Sequence, residues 1–169
     1  MTTTQERLEK MQAEPQPEHE WLGRLVGEWD VEGEMTTDAD QPPERTAGTE
    51  TVRSLGDLWF ICEGRGEMPG GGEGQWVMTL GYDPRKNAYV GTWVGSMMKN
   101  MFVYEGELDP GERALTLETE GPDMTGEGSA RYRDIMELDG DDHRVLTSHI
   151  RGEDGEWRQI VEVHYRRKA

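Results

Sequence analysis

The stretch Leu25-Val26-Gly27-Glu28-Trp29-Asp30-Val31-Glu32 marks the place where the spacing of apolar residues changes from helical to extended. Before it, large apolar residues recur at helical spacing, which predicts a short helix from Glu18 to Val26. A further short helix is predicted from Gln5 to Ala13. After the stretch, apolar and acidic residues alternate, as in a strand with one buried face. The sequence therefore predicts a helical lead-in over residues 1–26 and a β-structure over residues 27–167.

This alternation continues in about ten short segments, separated by polar turns such as Asp83-Pro84-Arg85-Lys86-Asn87 and Asp139-Gly140-Asp141-Asp142. No helical segment lies between them, which excludes the parallel strands of βαβ units. We therefore expect a single all-β domain over residues 1–169, with antiparallel strands that follow one another as a meander. The pattern leaves two arrangements open, a sandwich of two sheets and a closed up-and-down barrel. Closure would remove the exposed strand edges.

The chain has 35 acidic and 18 basic residues, which give a net charge of −17. Such a surface repels phosphate backbones and anionic lipids, so we expect neither a nucleic-acid nor a membrane partner. Cys62 is the single cysteine, which rules out an internal disulfide and fits a reducing compartment. The first residues lack the basic start and apolar core of a signal peptide. We therefore expect a cytoplasmic protein.

Four segments occur in the order found in a family of bacterial lipocalin-like (calycin) proteins of unknown function, which this sequence resembles. They are His19-Glu20-Trp21-Leu22, the run from Leu25 to Trp29, the turn Gly81-Tyr82-Asp83-Pro84 with the strand from Tyr89 to Met97, and the terminal Tyr165-Arg166-Arg167-Lys168. The resemblance implies an up-and-down barrel of about ten strands with an internal cavity. It implies no particular ligand.

The triplet Gly27-Glu28-Trp29 also resembles the Gly-x-Trp signature of the first lipocalin strand. In lipocalins this tryptophan plugs the closed end of the barrel beneath a basic residue of the last strand. The resemblance therefore implies that Trp29 is a structural plug, covered here by Arg166 or Arg167. A cation–π contact of this kind contributes about 0.5–2 kcal/mol.

The segment from Trp93 to Tyr104 is the strongest candidate for an apolar binding wall, because methionine side chains adapt to irregular pockets. An alternative is that these residues close one end of the core or form a homodimer contact. The candidate ligand-binding residues of this segment are Trp93, Met97, Met101 and Tyr104.

Polar candidates for the lumen come from the later strands. Tyr132 and Arg133 are adjacent, and a buried arginine there would need an anion, such as the carboxylate of a lipid-like ligand. Barrels of the fatty-acid-binding type, a more distant resemblance, use such Arg and Tyr pairs. His149 shares a predicted face with Val145 and Thr147, which favours a position inside the barrel. A solvated arginine on an acidic surface is the alternative for Arg133.

The motifs of the commonest enzymes are missing from the sequence. It contains no Gly-x-Ser-x-Gly elbow, no His-Glu-x-x-His helix and no paired-cysteine zinc signature. The glycine-rich Gly70-Gly71-Gly72-Glu73-Gly74 lacks the Gly-Lys-Ser/Thr of a phosphate-binding loop. We therefore predict no catalytic residue, no metal site and no cofactor.

These observations favour a protein that binds a small hydrophobic or amphipathic molecule in the barrel lumen. One alternative is a haem protein, because the run from Leu25 to Trp29 also resembles nitrobindins and either His149 or His164 would be its iron ligand. Another is a cavity enzyme of the isomerase or cyclase type that uses Asp134 or His149 as acid or base. A mainly structural role with a homodimer contact on the outer face is the last.

Overall fold

The structure, a computed structural model, describes residues 3–11, 13–36, 38 and 40–169. Two short helices, α1 (Thr4–Met11) and α2 (Pro17–Gly23), precede ten strands. No helix in these ranges is long and apolar enough to cross a membrane. The strands are β1 (Gly27–Met35), β2 (Glu44–Leu55), β3 (Trp59–Glu67), β4 (Glu73–Asp83), β5 (Ala88–Gly95), β6 (Phe102–Leu108), β7 (Ala114–Pro122), β8 (Ser129–Leu138), β9 (His143–Arg151) and β10 (Trp157–Arg167).

The ten strands form a closed barrel in which each strand pairs antiparallel with its neighbours in the chain. Closure occurs at β1, which pairs with β2 on one side and β10 on the other. Trp29, for example, lies opposite Glu50 in β2 and opposite Arg167 in β10. The predicted up-and-down barrel is therefore confirmed, and the sandwich of two sheets is excluded.

The core fills the end of the barrel that α2 covers. Inward side chains of β1 alternate with exposed acidic ones, so that Trp29 and Val31 are buried. Leu22 and Leu25 are fully buried above them, and burial of one such side chain contributes about 1.5–3 kcal/mol. The indole of Trp21 donates a hydrogen bond to the Glu112 carbonyl oxygen, at 2.7 Å. This end of the barrel is therefore closed.

Several element boundaries differ from the predictions. Helix α2 ends at Gly23 rather than Val26, because the chain already turns there to enter β1. For β7 the alternation around Leu115 and Leu117 predicts a strand only from Ala114 to Glu118, whereas the observed strand continues to Pro122, since its polar and glycine-containing end still pairs with β8. Helix α1 runs from Thr4 to Met11, and residue 12 of its predicted range lies outside the described residues.

Strand β10 also contains a feature that simple alternation does not predict. Its register with β9 shifts between Gln159 and Val161. Such a β-bulge inserts one extra residue into a strand, and both Ile160 and Val161 line the interior as a result.

Candidate functional site

The half of the barrel opposite α2 contains a cavity of about 540 Å³. The cavity adjoins the closed end on the side away from α2. It reaches the surface among Met97, Met98 and Met124, which are 40–45% exposed. A volume of this size is within the range of small-molecule sites, about 300–1,000 Å³.

Most of the cavity wall is apolar, and sulfur is unusually abundant in it. The chain has ten methionines, and seven of those that the structure describes line the cavity. Thioether side chains are flexible and polarisable, so they fit ligands of varied shape. The seven methionines are Met35, Met68, Met78, Met97, Met98, Met124 and Met136.

Aromatic side chains form a continuous part of the same wall. The rings of Trp93 and Phe102 meet edge to face with their centroids 6.0 Å apart, and Phe102 meets Tyr132 in the same way at 5.8 Å. Trp76 lies across the inner surface of Gly64, where a Cβ would overlap the indole ring. A glycine at position 64 is therefore what leaves room for this tryptophan.

A polar patch interrupts the wall on β6 to β9. The hydroxyl group of Tyr104 donates a hydrogen bond to Oδ2 of Asp134, at 2.7 Å, and Ser148 lies opposite Asp134 in the β8–β9 pair. Oδ1 of Asp134 has no hydrogen-bond partner among the described residues. Burial raises the pKa of the Asp134 carboxyl, against the opposing effects of Ser148, Tyr104 and His149. The patch thus holds a buried carboxyl group with unused hydrogen-bonding capacity.

A buried ion pair lies deeper in the cavity. Arg144, only 1% exposed, donates a hydrogen bond to Glu50, which also accepts one from the indole of Trp76 at 2.8 Å. The guanidinium of Arg144 lies between two rings, 3.7 Å from the centroid of Tyr165 and 4.8 Å from that of Trp29. The charge of this arginine is therefore already compensated inside the protein.

At the closed end of the barrel, an arginine of the last strand covers Trp29. The guanidinium of Arg167 lies 4.2 Å from the ring centroid of Trp29 and donates hydrogen bonds to the carbonyl oxygens of Arg24 and Val26. Arg166, the other candidate, lies on the outer face, 3.7 Å from Glu32. Of the two arginines, Arg167 is the one that covers Trp29.

Four of the seven predicted lumen residues line the cavity: Trp93, Met97, Tyr104 and Tyr132. Their positions on β5 to β8, and in the loop after β5, bring them to the same half of the barrel. Whether they contact a ligand stays a prediction. Met101 does not belong to this group, because its side chain is 55% exposed and lies outside the cavity.

The predicted positions of Arg133 and His149 inside the lumen are wrong. Successive residues of a strand point to opposite faces, and with Asp134 inside, Arg133 must lie outside. There it forms an ion pair with Glu118 at 2.7 Å and stacks on Trp157 at 4.2 Å. On β9 the residues that face the cavity are Arg144, Leu146 and Ser148, which places His149 on the outer face.

The other histidines also lie away from the cavity, whose described lining contains no imidazole. His19 is buried in α2, where its Nδ1 accepts a hydrogen bond from the Gln16 amide at 2.9 Å. His143 and His164 stack on each other on the outside of β9 and β10. No group of three or more metal-ligating side chains of the His, Cys, Asp or Glu type occurs in the described part of the chain.

Sequence reasoning missed Glu50 and Arg144 altogether, and it named Asp134 only for the enzyme alternative. The alternation of Arg144 with Leu146 and Ser148 was a usable signal, because the buried Ile150 continues the same face. Val145 made this signal ambiguous, because it is an apolar residue on the opposite face of the same strand.

The fold and the cavity together define an antiparallel β-barrel with an internal, largely apolar site. The chain belongs to the family described as "Protein of unknown function (DUF1579)", whose model matches residues 14–167. No curated protein matches it.

Among solved structures, the chain is similar to Rv2717c from M. tuberculosis, with a TM-score of 0.61 and 12% identity over 92% of this chain and 100% of that one. This likeness shows the fold alone. A protein described as EF1p2_mFAP2b bound to DFHBI has a TM-score of 0.48 and 12% identity, over 89% of this chain and 98% of that one. The likeness to the second structure is too weak to support a conclusion about this chain.

Proposed function

We propose that this protein binds a small apolar or amphipathic molecule inside its barrel. The observation that carries the proposal is the cavity of about 540 Å³, which the tryptophan and methionine side chains of the chain line without filling. Ligand surface removed from water there would contribute about 25 cal/mol per Å². A few polar groups in an apolar wall are the usual means of setting ligand orientation.

The proposal is tested by titrating the full chain with Nile red, a neutral dye whose fluorescence rises in apolar surroundings. Ser148→Phe places an aromatic ring inside the cavity, and Thr147→Phe places the same ring on the outer face of the same strand. We expect Ser148→Phe to weaken binding by about tenfold or more, which is about 1.4 kcal/mol. Thr147→Phe should bind as the wild type does.

Saturable dye binding that is lost only in Ser148→Phe supports the cavity as the site. Absence of binding to the wild-type protein, or equal binding by both variants, contradicts it. Circular dichroism of each variant establishes that the barrel is intact.

Asp134 favours a second candidate function, acid–base catalysis on a bound substrate of the isomerase type. A buried carboxyl with a raised pKa in a cavity is the usual form of such a group. The assay is the conversion of a β,γ-unsaturated ketone to its conjugated isomer, followed by ultraviolet absorbance. Turnover that Asp134→Asn abolishes supports this function, and a wild-type rate equal to that of buffer contradicts it.

We infer kinship with calycin barrels, a single domain, a cytoplasmic location, and no nucleic-acid or membrane partner. A homodimer through the outer face stays an alternative. Haem also stays an alternative, although the cavity would have to supply an iron ligand other than histidine, such as a tyrosine.

A further inference from the structure

The lining of the cavity carries an excess of acidic side chains. Among the described residues, four acidic ones line it against one basic residue, Arg144. Two of the acidic residues lie toward the mouth and are held by neighbours: Glu34 pairs with Arg45 at 3.1 Å, and Glu67 accepts a hydrogen bond from the Ala47 amide. The wall that a ligand meets is therefore negative or neutral.

Asp134 is the acidic group inside the cavity that forms no ion pair with any residue the structure describes. Glu50 is paired with Arg144, whereas the groups that favour the ionised form of Asp134 are the neutral hydroxyls of Ser148 and Tyr104, of which Tyr104 donates to Oδ2, and the more distant imidazole of His149. Asp134 is only 8% exposed, and its Oδ1 has no partner among the described residues. A buried polar atom without a partner is destabilising, so a ligand that donates to Oδ1 would remove this cost.

An anionic ligand finds no unpaired positive charge in the described lining of this cavity, although Nε of Arg144 has no hydrogen-bond partner there. The guanidinium of Arg144 is held by Glu50 and by the rings of Trp29 and Tyr165. Arg133, the arginine that the sequence offered for a ligand carboxylate, lies on the outer face against Glu118. A fatty-acid carboxylate could accept a hydrogen bond from Nε of Arg144, but its charge would then lie beside Glu50, which already pairs with that arginine, and in the same cavity as Asp134.

The cavity that contains Asp134 suits a cation with an apolar body. Aromatic faces attract cations through their quadrupole, and Trp93, Phe102 and Tyr132 form part of the same cavity wall. The methionine-rich wall would accommodate the apolar part by dispersion. The net charge of −17 also favours the approach of a cation from solution.

We propose that the cavity binds an amphipathic organic amine, whose protonated nitrogen donates to Oδ1 of Asp134 while Tyr104 holds Oδ2. The inference rests on the proposed binding function and specifies its ligand class. Bringing both charges out of water offsets part of their attraction. We therefore expect a modest preference: the dissociation constant of an amine should be about tenfold lower than that of a neutral molecule of the same shape.

The test uses three probes with the same chain length: octylamine, octan-1-ol and octanoate. Each displaces Nile red from the full-length protein at pH 7, and the ratio of the octan-1-ol to the octylamine dissociation constant is the measured quantity. We expect a ratio of about ten in the wild-type protein, with octanoate the weakest competitor. Asp134→Asn should bring the ratio to one or below, because the amide does not compensate the charge of a buried ammonium group.

The matched control is Glu137→Gln, which removes a carboxylate from the exposed face of the same strand and should leave the ratio unchanged. Tyr104→Phe should lower the ratio, because it removes the hydroxyl that holds the carboxylate of Asp134. This variant and the wild-type ratio decide the question if Asp134→Asn does not fold.

A wild-type ratio near one overturns the amine proposal, as does a ratio that persists in a folded Asp134→Asn. If Nile red and octan-1-ol still bind in that case, the binding function stands and only the ligand class is wrong. If neither the dye nor any probe binds, the proposed function itself fails.

Discussion

The buried pair of Arg144 and Glu50 gives the sharpest prediction about stability. The two side chains are 1% and 4% exposed, so neither charge has water to solvate it once the partner is removed. Arg144→Met keeps much of the side-chain volume and leaves Glu50 uncompensated. Loss of one partner of a buried ion pair costs about 3–5 kcal/mol, and we expect the free energy of unfolding to fall by this amount.

The double variant Glu50→Gln/Arg144→Met separates the stranded charge from the loss of packing. A neutral glutamine keeps an oxygen for the hydrogen bond from Trp76, which Glu50 accepts at 2.8 Å. Replacing both members of a buried pair by neutral groups is often close to neutral in stability. We therefore expect the second substitution to restore most of the stability lost in Arg144→Met.

The assay is urea denaturation followed by circular dichroism and linear extrapolation. The control is Arg53→Met, since Arg53 and Glu63 form a pair at 3.1 Å with both side chains more than half exposed. Such a surface pair contributes about 0–1 kcal/mol. Equal losses in Arg144→Met and Arg53→Met would refute the reasoning, as would a double variant no more stable than Arg144→Met.

Three further predictions concern single positions. Burial raises the pKa of Asp134 above its unfolded value near 3.8. The folded state therefore binds the carboxyl proton more tightly than the unfolded state, and the free energy of unfolding falls as the pH rises from 3.8 through the folded-state pKa. Asp134→Asn should therefore gain stability relative to the wild type as the pH rises through this window, and a pH-independent difference in urea denaturation would contradict it. Gly106→Ala should be strongly destabilising in thermal unfolding, because its Cβ would overlap the Thr116 carbonyl oxygen, whereas the matched Gly111→Ala, with room for a Cβ, should be nearly neutral. Burial raises the pKa of the Cys62 thiol, so it should react with a thiol reagent only after denaturant is added, and rapid reaction of the native protein would show that the thiol is accessible.

The fold could be predicted because its signals are local and repeated. Alternation after Trp29 and the polar turns give each strand its length, and ten such strands appear in the structure. The same pattern is compatible with a sandwich of two sheets and with a closed barrel, and only the resemblance to lipocalin-like proteins favoured the barrel. The bulge in β10 could not be predicted, since the apolar run Ile160-Val161 is compatible with either face.

The site was harder to predict, because assigning one residue of a strand to the wrong face assigns every other residue of that strand wrongly as well. On β9 both Val145 and Leu146 are apolar, so the sequence does not say which lies inside, and His149 was placed with the wrong neighbour. The pairing of Glu50 with Arg144 joins residues 94 positions apart, and no local pattern reports such a contact. By contrast, Trp93 and Met97 belong to one segment with a high density of large side chains, and both line the cavity.

The central claim is that a ligand enters the methionine-lined half of the barrel, and methionine methyl resonances test it most directly. Protein labelled with ¹³C at the methionine methyl groups is titrated with octylamine and followed by NMR. We predict that the signals of deep Met78 and Met136 and of Met97 at the mouth shift together with one dissociation constant. Met101, which lies outside the cavity, should not move. Shifts confined to Met101 and other exposed groups, with Met78 and Met136 unchanged at saturation, would contradict the account.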